Sequence, residues 1–599
     1  MALAGLLSAC APETVPDASE SANTAAVLPI EHDGDWFVDR AGATGLDFVH
    51  ANGMTGSFYQ PEMMGPGVGL LDYDNDGDLD LYLVQGNLLG NEGDRTSATT
   101  PWTGEWPPRD RLYRNDLELS DDRATVRFVD VTEESGITAT GYGMGVVAAD
   151  LDNDGWVDLY VLNLGANQLW RNEGDGTFSD RTEASGTGDS RWSVAAAAAD
   201  YDGDLDLDLF VVNYLNFSLA THKTCLTERG EVDYCLPSAY QPAPDGLLVN
   251  DGSGRFEDAT VTAGLAAARA GNGLGILAAD LDGDRRLDFY VANDLMPNHL
   301  WLNEGNGQLV EDGLISGAAL NAEGQAEASM GVAAGDYDGD GDLDLFLTHF
   351  HRETNTLYRN DSQPGAVQFR DRTNATGLGR PSWDATSFGT AFVDIDNDGW
   401  LDLAAVNGAV TFAAGRPRTE DDPFPLDQPN QAFLNVAGGG GGRRFEPAPI
   451  GLLDGETTFV SRGLAAGDLD NDGDTDLVIT NNNGPARLLL NRADTDVDWF
   501  GVAPMLDASR GHRPASGVTM RVHQTGGPSL VRLAGGGGSY ASWGDPRVAI
   551  PPGGPGIDRI EVQWTDGTIE EWPAPPPRTY TPLVRGTGER RDEREDDAP

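Results

Sequence analysis

Basic side chains, cysteines and long apolar runs are all scarce in this 599-residue chain. Lys and Arg number 39 against 97 Asp and Glu, which gives a formal net charge of -58 at pH 7. That charge repels nucleic acids and anionic membranes, so we expect neither as a partner. After residue 10, no apolar run is long enough to span a bilayer. Hydrophobic residues still make up 39% of the chain, with 13 Trp and 77 Gly, and this composition indicates a folded, turn-rich protein.

The three cysteines indicate an exported protein. Cys225 and Cys235 lie in the stretch CLTERGEVDYC, where an oxidising compartment would join them in a disulfide that closes a small loop. Cys10 ends the run Leu-Ser-Ala-Cys, which resembles a bacterial lipobox whose cysteine is acylated, although no positively charged segment precedes it. We therefore expect an outer-membrane or cell-surface lipoprotein, or a secreted protein, that touches a membrane only through a lipid anchor.

One sequence pattern recurs seven times between residues 35 and 491. Each copy has a Gly/Ala-rich stretch such as GMGVVAAD, an aspartate loop, an apolar stretch, a stretch that ends in Asn, and in most copies a closing Phe-x-Asp or Phe-x-Glu. Alternation and turn residues favour strands throughout, so each copy supplies four short strands. Four-stranded units repeated radially predict an all-β, seven-bladed β-propeller. The small first strand would be innermost, where the blades converge and large side chains would collide.

The two ends of the repeat array predict how the ring closes. The seventh repeat ends at Asn491 without its closing strand, and a spare copy, Phe37-Val38-Asp39, precedes the first repeat. We predict that this N-terminal strand completes the last blade and removes an open sheet edge. Residues 1–10 are interpreted as a truncated signal with a lipobox and 11–34 as a flexible tether. Residues 492–587 are interpreted as a small β domain, because VTMRVH and RIEVQW alternate, and 588–599 as a charged tail.

The aspartate loops follow the pattern DxDxDGxxD, which predicts structural Ca²⁺. A tight turn would bring the carboxylates of positions 1, 3 and 5 to one point, position 7 would offer a carbonyl, and the Asp at position 9 could bind through both oxygens. Such hard oxygen ligands suit Ca²⁺ better than Mg²⁺. The predicted ligands of loops 1 to 7, in chain order, are Asp72, Asp74, Asp76 and Asp80; Asp150, Asp152, Asp154 and Asp158; Asp200, Asp202, Asp204 and Asp208; Asp280, Asp282, Asp284 and Asp288; Asp336, Asp338, Asp340 and Asp344; Asp394, Asp396, Asp398 and Asp402; and Asp468, Asp470, Asp472 and Asp476.

Two of these loops depart from the pattern. Glycine at position 6 permits the left-handed backbone that the turn requires, but loop 3 has Leu205 there and loop 4 has Arg285. Both have glycine at position 4 instead, Gly203 and Gly283, and both retain the four acidic positions. We expect weaker binding in these two loops. The alternative for every loop is an empty aspartate-rich turn held by its own Asx hydrogen bonds.

The chain resembles a known family in these motifs. The repeats resemble the FG-GAP/VCBS repeats of integrin-α-like propellers, and SFGTAFVDIDNDGWLDLAAVNG and YVANDLMPNHLWLNEGNG resemble the bacterial relatives of cartilage acidic protein. The segments RGHRPASGVTMRV, LAGGGGSYASWGDPRVAI and IDRIEVQWTDGTIEEW are similar to the ASPIC/UnbV domain that ends such proteins. The resemblance covers residues 36 to 587 and implies a secreted or surface protein with calcium-bound repeats and a role in interaction or adhesion.

Polar residues follow the second strand of several repeats and would ring one face near the axis. They either bind a glycan or peptide or simply cap turns. They are Asn163, Asn213, Asp294, His349, His351, Asn407 and Asn482. We predict no catalytic residue, because the sequence has no nucleophile elbow, phosphate loop or zinc motif, and we interpret GGGG at 438–441 and 535–538 as flexible loop glycine.

Three functions are compatible with these features. The first is a calcium-dependent adhesion or interaction module for an extracellular protein or glycan, supported by the insertions at 86–110, 214–245 and 408–429, because long loops on a rigid scaffold often carry recognition. The second is a polysaccharide hydrolase or lyase on the central face, which gains support if His349, His351, Asp294 and Glu353 converge around a pocket. The third is a structural surface component that self-associates in calcium.

Overall fold

Seven four-stranded antiparallel sheets account for most of the structure, a computed structural model. It describes residues 36–90, 95–99, 106–120, 123–363, 365–412, 415, 425–449, 452–453, 457–492, 498–506, 513–550 and 556–591. Six sheets each arise from one predicted repeat, with strands that follow one another from the inside outwards, and the seventh repeat supplies the three inner strands of the seventh sheet. The prediction of an all-β propeller is confirmed.

The strands begin and end close to where the repeat pattern changes: the position-9 Asp opens every second strand, and an Asn ends the third strand except in blade 6, where the strand continues from Asn435 to Ala437. Blades 1 to 7, each written from the innermost strand outwards, are Val68–Leu71, Asp80–Leu83, Arg111–Asn115 and Phe128–Asp130; Gly143–Ala149, Asp158–Asn163, Gln168–Asn172 and Phe178–Asp180; Ser193–Ala199, Asp208–Asn213, Gly246–Asn250 and Phe256–Asp258; Gly273–Ala279, Asp288–Asn293, His299–Asn303 and Leu309–Glu311; Val332–Gly335, Asp344–Leu347, Thr356–Asn360 and Phe369–Asp371; Ser387–Val393, Asp402–Asn407, Gln431–Ala437 and Arg443–Pro447; and Ser461–Gly467, Asp476–Asn481, Arg487–Asn491 and Phe37–Asp39.

The innermost strands contact one another in cyclic order, and the first also contacts the seventh. Small residues are needed at these contacts. A Cβ added to Gly331 would lie 2.2 Å from the carbonyl oxygen of Phe388 in the next blade, and one added to Gly389 would lie 2.7 Å from the backbone nitrogen of Leu464. This is the crowding that the Gly/Ala-rich first strand predicted.

The N-terminal strand completes the seventh blade, as predicted. Phe37–Asp39 pairs antiparallel with Arg487–Asn491, and Phe37 stands opposite Asn491. Phe37 is buried in the core of the sixth and seventh blades. The Asp39 carboxylate forms an ion pair of 2.9 Å with Arg487. The first and last parts of the propeller are therefore joined within one sheet.

Short helices and hairpins occupy the connections. The α-helices follow the outer strands and span one turn each: Ala41–Thr44, Thr132–Ser135, Thr182–Ser185, Gly313–Ser316, Thr373–Thr376 and Gly379–Ser382. The 3₁₀ helices are Gln60–Met63, Arg95–Ser97, Leu219–Thr221, Pro237–Ala239, Leu265–Ala267 and Gly439–Gly441, and the hairpins pair Glu118–Ser120 with Arg123–Thr125 and Cys225–Leu226 with Val232–Asp233. Among the described residues, no helix is long and apolar enough to cross a membrane.

The C-terminal domain contains two further sheets. Its three-stranded sheet has the order Val548–Ile550, Phe500–Met505, Tyr580–Val584, and its five-stranded sheet has the order Leu530–Ala534, Val518–Gln524, Ile557–Gln563, Ile569–Pro573, Glu589–Arg590. Alternate side chains of VTMRVH face its core, as the pattern predicted. The predicted boundary at 587 is wrong, because Glu589–Arg590 pairs with Glu570 and Glu571 and the domain continues to that strand.

Residues 535–545 of the C-terminal domain fill the central channel, and we call them the central plug. Its backbone hydrogen-bonds to inner strands: the Ala278 N–H donates to the Gly536 oxygen at 2.8 Å, and the Val146 N–H donates to the Ala541 oxygen at 3.2 Å. Gly535 to Gly538 all have positive φ, between 66° and 112°. The interpretation of 535–538 as flexible loop glycine is wrong, since only glycine adopts four such residues in a row inside a channel. At 438–441, by contrast, a Cβ on Gly439, Gly440 or Gly441 would meet open space.

The two ends of the propeller are covered differently. Aspartate loops join first to second strands at one end, and the C-terminal domain lies over that end. The insertions at 86–110, 214–245 and 408–429 join second to third strands at the opposite end. Parts of the first and last insertion, Trp102 among them, lie outside the described residues, as do Cys10, the interpreted signal and tether at 1–34, and residues 592–599. The Tyr540 hydroxyl of the plug reaches the insertion end, where it donates to the Met64 oxygen.

Candidate metal centres and ligand face

Each aspartate loop brings carboxylates together. Oxygen atoms of positions 1, 3 and 9 lie within 4.8 Å of one another in loops 1 to 5, for example in Asp72, Asp74 and Asp80. In loop 6 the charges of Asp394 and Asp396 act on Asp402, and in loop 7 those of Asp468 and Asp470 act on Asp476. The sequence pattern therefore correctly predicted convergent acids, although not every position converges.

Position 1 folds the loop around itself. Its Oδ2 accepts a hydrogen bond from the position-6 N–H in all seven loops, as in Asp72, where Gly77 donates at 3.0 Å. Position 6 is left-handed throughout, including Leu205 (φ 72°) and Arg285 (φ 73°) in the two irregular loops. A non-glycine residue in that conformation costs about 1–2 kcal/mol. Leu205 packs against the core of the C-terminal domain, which offsets part of that cost.

Position 9 ties each loop to the end of the third strand. In all seven loops one of its oxygens accepts the position-2 N–H and the other accepts the N–H of the Asn that ends the third strand; in loop 1 Tyr73 donates to Asp80 at 2.9 Å and Asn115 at 2.8 Å. The position-9 Asp therefore has a structural role that the predicted two-oxygen metal ligation did not include.

The Asn that ends the third strand also links neighbouring blades, which the sequence analysis missed. Its Nδ2 donates to the position-2 carbonyl of the preceding blade in all seven cases, for example from Asn172 to Tyr73 at 2.8 Å and from Asn115 to Leu469 at 3.0 Å. The recurrence of Asn at this one place in every repeat was the available signal. These bonds run around the whole ring and close it between the first and seventh blades.

Position 3 provides the least satisfied atoms of the loops. The Oδ1 atoms of Asp74, Asp152, Asp338 and Asp470 are buried and have no hydrogen-bond partner among the described residues. In loop 5, Arg359 holds only the other oxygen of Asp338, at 2.6 Å. A buried acceptor without a donor is rare and costly, and oxygens of this kind are available as ligands for a cation.

Position 5 accepts a hydrogen bond within its own turn. Its Oδ1 accepts the position-7 N–H of its own turn, at 3.0 Å from Asp78 to Asp76 and at 3.0 Å from Trp156 to Asp154. It is absent from the convergent groups of loops 1 to 5 that contain positions 1, 3 and 9. Positions 1, 3 and 9 form those groups, while the charge of position 5 still acts on position 3, as that of Asp76 does on Asp74, and ligation by position 5 stays a prediction. The donor set still consists of hard oxygens, which fits Ca²⁺.

Burial and mutual repulsion favour the neutral form of these carboxyl groups. Burial is the main cause that raises the pKa of Asp72 to about 6, of Asp150 to about 7 and of Asp208 to about 8, and neighbouring aspartates contribute. A divalent cation at the centre would reverse this effect, because an adjacent positive charge stabilises the carboxylate. The electrostatics of the loops thus favour a bound cation.

The C-terminal domain contacts the loops with a repeated chemistry. Four arginines each donate to the position-6 carbonyl of a different loop: Arg547 to Gly77, Arg513 to Leu205, Arg521 to Gly341 and Arg532 to Gly399. Three other side chains donate to position-1 carboxylates: Thr565 to Asp200 at 2.7 Å, Gln563 to Asp280 at 2.7 Å and Tyr580 to Asp468 at 2.8 Å. No local sequence signal marked these seven residues, because their partners are hundreds of positions away.

The asparagines of the predicted ligand face donate hydrogen bonds to carbonyl groups of the protein. Asn163, Asn213 and Asn407 are buried and donate to the carbonyls of Ala166 (3.1 Å), Pro244 (3.1 Å) and Pro429 (2.6 Å). Asn482 donates to the Glu62 carbonyl at 2.8 Å. Turn capping describes only the Asn163 bond, because the partners of the other three asparagines lie 31, 22 and 420 positions away in the chain, and ligand contact stays a prediction.

Three of the four residues considered for catalysis lie around one stretch of backbone, because Asp294 pairs with Ala328, to which Glu353 also bonds, and His349 contacts the adjacent Ser329. His349 lies 3.0 Å from the Ser329 hydroxyl, His351 3.4 Å from the Asp384 carbonyl, Asp294 accepts from Tyr214 at 2.6 Å, and Glu353 accepts the Ala328 N–H at 2.8 Å. Burial lowers the pKa of His349 to about 3, so that imidazole is neutral. The described hydrogen bonds do not join the four groups, and the plug fills the channel that an enzyme at the central face would use.

The insertion at 214–245 is held by a disulfide. Cys225 and Cys235 are bonded, with Cα atoms 5.2 Å apart. Four large hydrophobic side chains of this insertion are exposed, namely Leu219, Leu226, Val232 and Leu236. The disulfide thus fixes a protruding hairpin with an apolar surface.

Known families match both parts of the chain. The FG-GAP-like repeat matches residues 150–211, 280–347 and 336–405, the FG-GAP repeat matches 461–495, and the family described as ASPIC and UnbV matches 508–590. The molecule is therefore an FG-GAP propeller with a C-terminal ASPIC/UnbV domain, which confirms the resemblance inferred from the motifs.

Within that class, the chain is homologous to cartilage acidic protein 1. It is 22% identical to the mouse protein over 539 residues, which cover 85% of this chain and 72% of the relative. The human protein is also 22% identical, over 85% of this chain and 70% of its own length. The Xenopus tropicalis protein is 24% identical over 52% of this chain and 44% of its own.

Solved structures with a similar outline include lectins. A lectin of Agrocybe aegerita, described as recognising non-reducing terminal N-acetylglucosamine, is 16% identical with a TM-score of 0.36 and covers 65% of this chain and 80% of its own. The BP39L lectin of Burkholderia pseudomallei is 12% identical with a TM-score of 0.40, over 72% of this chain and 96% of its own.

Proposed function

We propose that this protein is an exported, calcium-loaded propeller that binds an extracellular partner at a cell surface. The observation that carries the calcium assignment is the set of buried position-3 oxygens without hydrogen-bond partners, each in a cluster of carboxylates. In this role calcium is structural: it would hold the loops on which the C-terminal domain rests. The disulfide supports export, because disulfides persist in oxidising compartments. Attachment to a membrane would occur only through a lipid on Cys10.

The partner surface is proposed to be the insertion end of the propeller. The C-terminal domain covers the aspartate-loop end, whereas the insertion at 214–245 projects Leu219, Leu226, Val232 and Leu236 into solvent. Exposed apolar side chains that cluster on a rigid element mark interaction sites. An aliphatic surface favours a protein partner over a glycan, since glycan sites rely on aromatic platforms and polar groups. A polysaccharide hydrolase or lyase is disfavoured by the filled channel, and a self-associating surface component is the remaining alternative.

Capture on an array of extracellular proteins and glycans tests this proposal. In 1 mM calcium the purified chain is expected to bind a defined protein, and in chelator binding should fall because the scaffold loosens. The double variant L226K/V232K should weaken capture at least about tenfold, the loss of roughly 1.4 kcal/mol of interface energy. I315K is the control, because Ile315 is also aliphatic and is even more exposed, but it lies on a helix of another blade.

Three outcomes contradict parts of the proposal. Capture of glycans alone, undiminished in L226K/V232K, would move the site away from the insertion. Concentration-dependent self-association without capture would favour the surface component. A folded chain that captures nothing but degrades a polysaccharide would favour the enzyme.

A further inference from the structure

Loop 7 differs from the other loops at position 7. Loops 1, 3 and 5 also have an aspartate there, Asp78, Asp206 and Asp342, but all three are partly or fully solvent-exposed. The corresponding Asp474 of loop 7 is only 1% exposed. Both of its carboxylate oxygens are buried without a hydrogen-bond partner among the described residues. A buried carboxylate without hydrogen-bond donors is costly, so the group must either be protonated or bind a cation.

The groups around Asp474 are acidic. The largest charges that act on it belong to Asp472, Asp476, Asp470 and Asp468. The Oδ1 of Asp470 is likewise buried and unpartnered. Three oxygens without donors thus lie in one loop that carries five carboxylates. Carboxylate-rich oxygen sites of this type bind hard divalent cations, and the number of charged ligands sets their affinity.

The C-terminal domain closes over the same loop. The Tyr580 hydroxyl donates to the Asp468 Oδ2 at 2.8 Å, and the Arg547 guanidinium donates to the Asp468 carbonyl at 2.8 Å. Arg547 also stacks on the Tyr580 ring, 4.2 Å from its centroid. The Trp499 ring lies directly against Gly473 of the loop, since a Cβ added to Gly473 would be 2.1 Å from its Cγ. Loop 7 is therefore covered by three side chains from outside the propeller.

We propose that loop 7 forms an occluded calcium centre in which Asp474 is an additional ligand and the C-terminal domain is the lid. The inference rests on the proposed calcium binding of the aspartate loops and goes beyond it, because it assigns a new ligand and a different release rate to one loop. A cation held here leaves only when the C-terminal domain lifts from loop 7. By linkage, the bound cation stabilises the docked position of that domain to the same extent.

Calcium retention tests the inference. The full chain, saturated with calcium, is passed by gel filtration into calcium-free buffer, and calcium per chain is measured by plasma mass spectrometry. The unmodified chain is expected to retain about one ion, consistent with a single occluded site of high ligand charge. D474N should release it at least about tenfold faster. D342N, the control at the exposed equivalent position of loop 5, should retain it.

Retention by D474N equal to that of the unmodified chain would overturn the inference, since Asp474 would then be a buried protonated acid. Y580F provides the second test, and it decides the matter if circular dichroism shows that D474N is unfolded. It should release the retained ion faster while the number of ions bound at 1 mM calcium is unchanged, and an unchanged release rate contradicts the lid. A chain that binds several ions at 1 mM but retains none refutes the occluded centre alone, whereas a chain that binds none refutes the proposed calcium function.

Discussion

Removing calcium is expected to lower the melting temperature of the chain by on the order of 10 °C. At 1 mM free calcium, a site with a dissociation constant of ~10⁻⁴ M contributes about 1.4 kcal/mol of stability by linkage. The five loops with glycine at position 6 would together contribute roughly 7 kcal/mol. Without the ions, a buried carboxylate such as Asp150 or Asp468 must either take up a proton or be repelled by the other aspartates of its own loop. Thermal unfolding followed by circular dichroism in calcium and in chelator measures the difference.

The control for this experiment is magnesium at the same concentration. Mg²⁺ demands near-ideal octahedral geometry and dehydrates reluctantly, so it should restore little of the lost stability. Returning calcium in excess over chelator should restore the original melting temperature. Equal melting temperatures in calcium and chelator would mean that the loops are self-sufficient turns, held only by bonds such as that from the Gly77 N–H to Asp72.

Deleting residues 35–46 is expected to destabilise the propeller to a similar extent, with a fall in melting temperature on the order of 10 °C. The deletion removes the outer strand of the seventh blade and the buried side chains of Phe37, Ala41 and Leu46. Truncating a buried Phe to Ala alone costs about 3–5 kcal/mol. It also exposes the edge of Arg487–Asn491, so aggregation above the transition should increase.

Two point variants distinguish the loss of ring closure by the N-terminal strand from a general effect of shortening the chain. F37A should retain the strand but lose much of its anchoring, whereas V38A should change little because Val38 lies on the partly exposed face of the same strand. If the deletion variant melts at the same temperature as the full chain, the strand is dispensable and the ring closes by the Asn115 bond to Leu469 instead.

The repeat carried enough information to predict the propeller. The position-9 Asp opens the second strand in every blade, and the Asn ends the third strand in every blade except the sixth, where the strand runs two residues past Asn435 to Ala437; the sequence repeat therefore matches the structural repeat. The spare Phe37-Val38-Asp39 copy likewise predicted how the ring closes, since the missing strand and the extra strand belong to one template. Convergent acids and the left-handed position 6 followed from the loop pattern, and even Leu205 and Arg285 obey it.

The contacts between the two domains could not be predicted from the sequence. Gly535 to Gly538 looked like loop glycine because the sequence does not show that a channel encloses them. Arg513 and Arg547 contact loops more than three hundred residues earlier in the chain, and no local periodicity encodes such partners. The role of each acid within a loop could not be predicted either. The position-9 carboxylate accepts a hydrogen bond from a backbone N–H of the third strand, and the loop sequence does not show where that strand lies.

The function assignment depends on which end of the propeller is free. From the sequence, the polar residues after the second strands and the long insertions were both candidates for recognition. Asn163 and Asn213 are buried and donate hydrogen bonds to carbonyl groups of the protein. Leu226 and Val232 of the insertion are exposed. The structure therefore favours the insertion as the surface on which to search for a partner.

Counting the calcium ions bound to the folded chain tests the central claim most directly. Equilibrium dialysis at 1 mM free calcium, followed by plasma mass spectrometry, gives ions per chain without any assumption about the partner. The account predicts about five or more ions per chain, as expected for loops with the affinity of extracellular calcium modules. A folded chain that binds no calcium at this concentration would contradict it, and the aspartate loops would then be turns stabilised by their own hydrogen bonds.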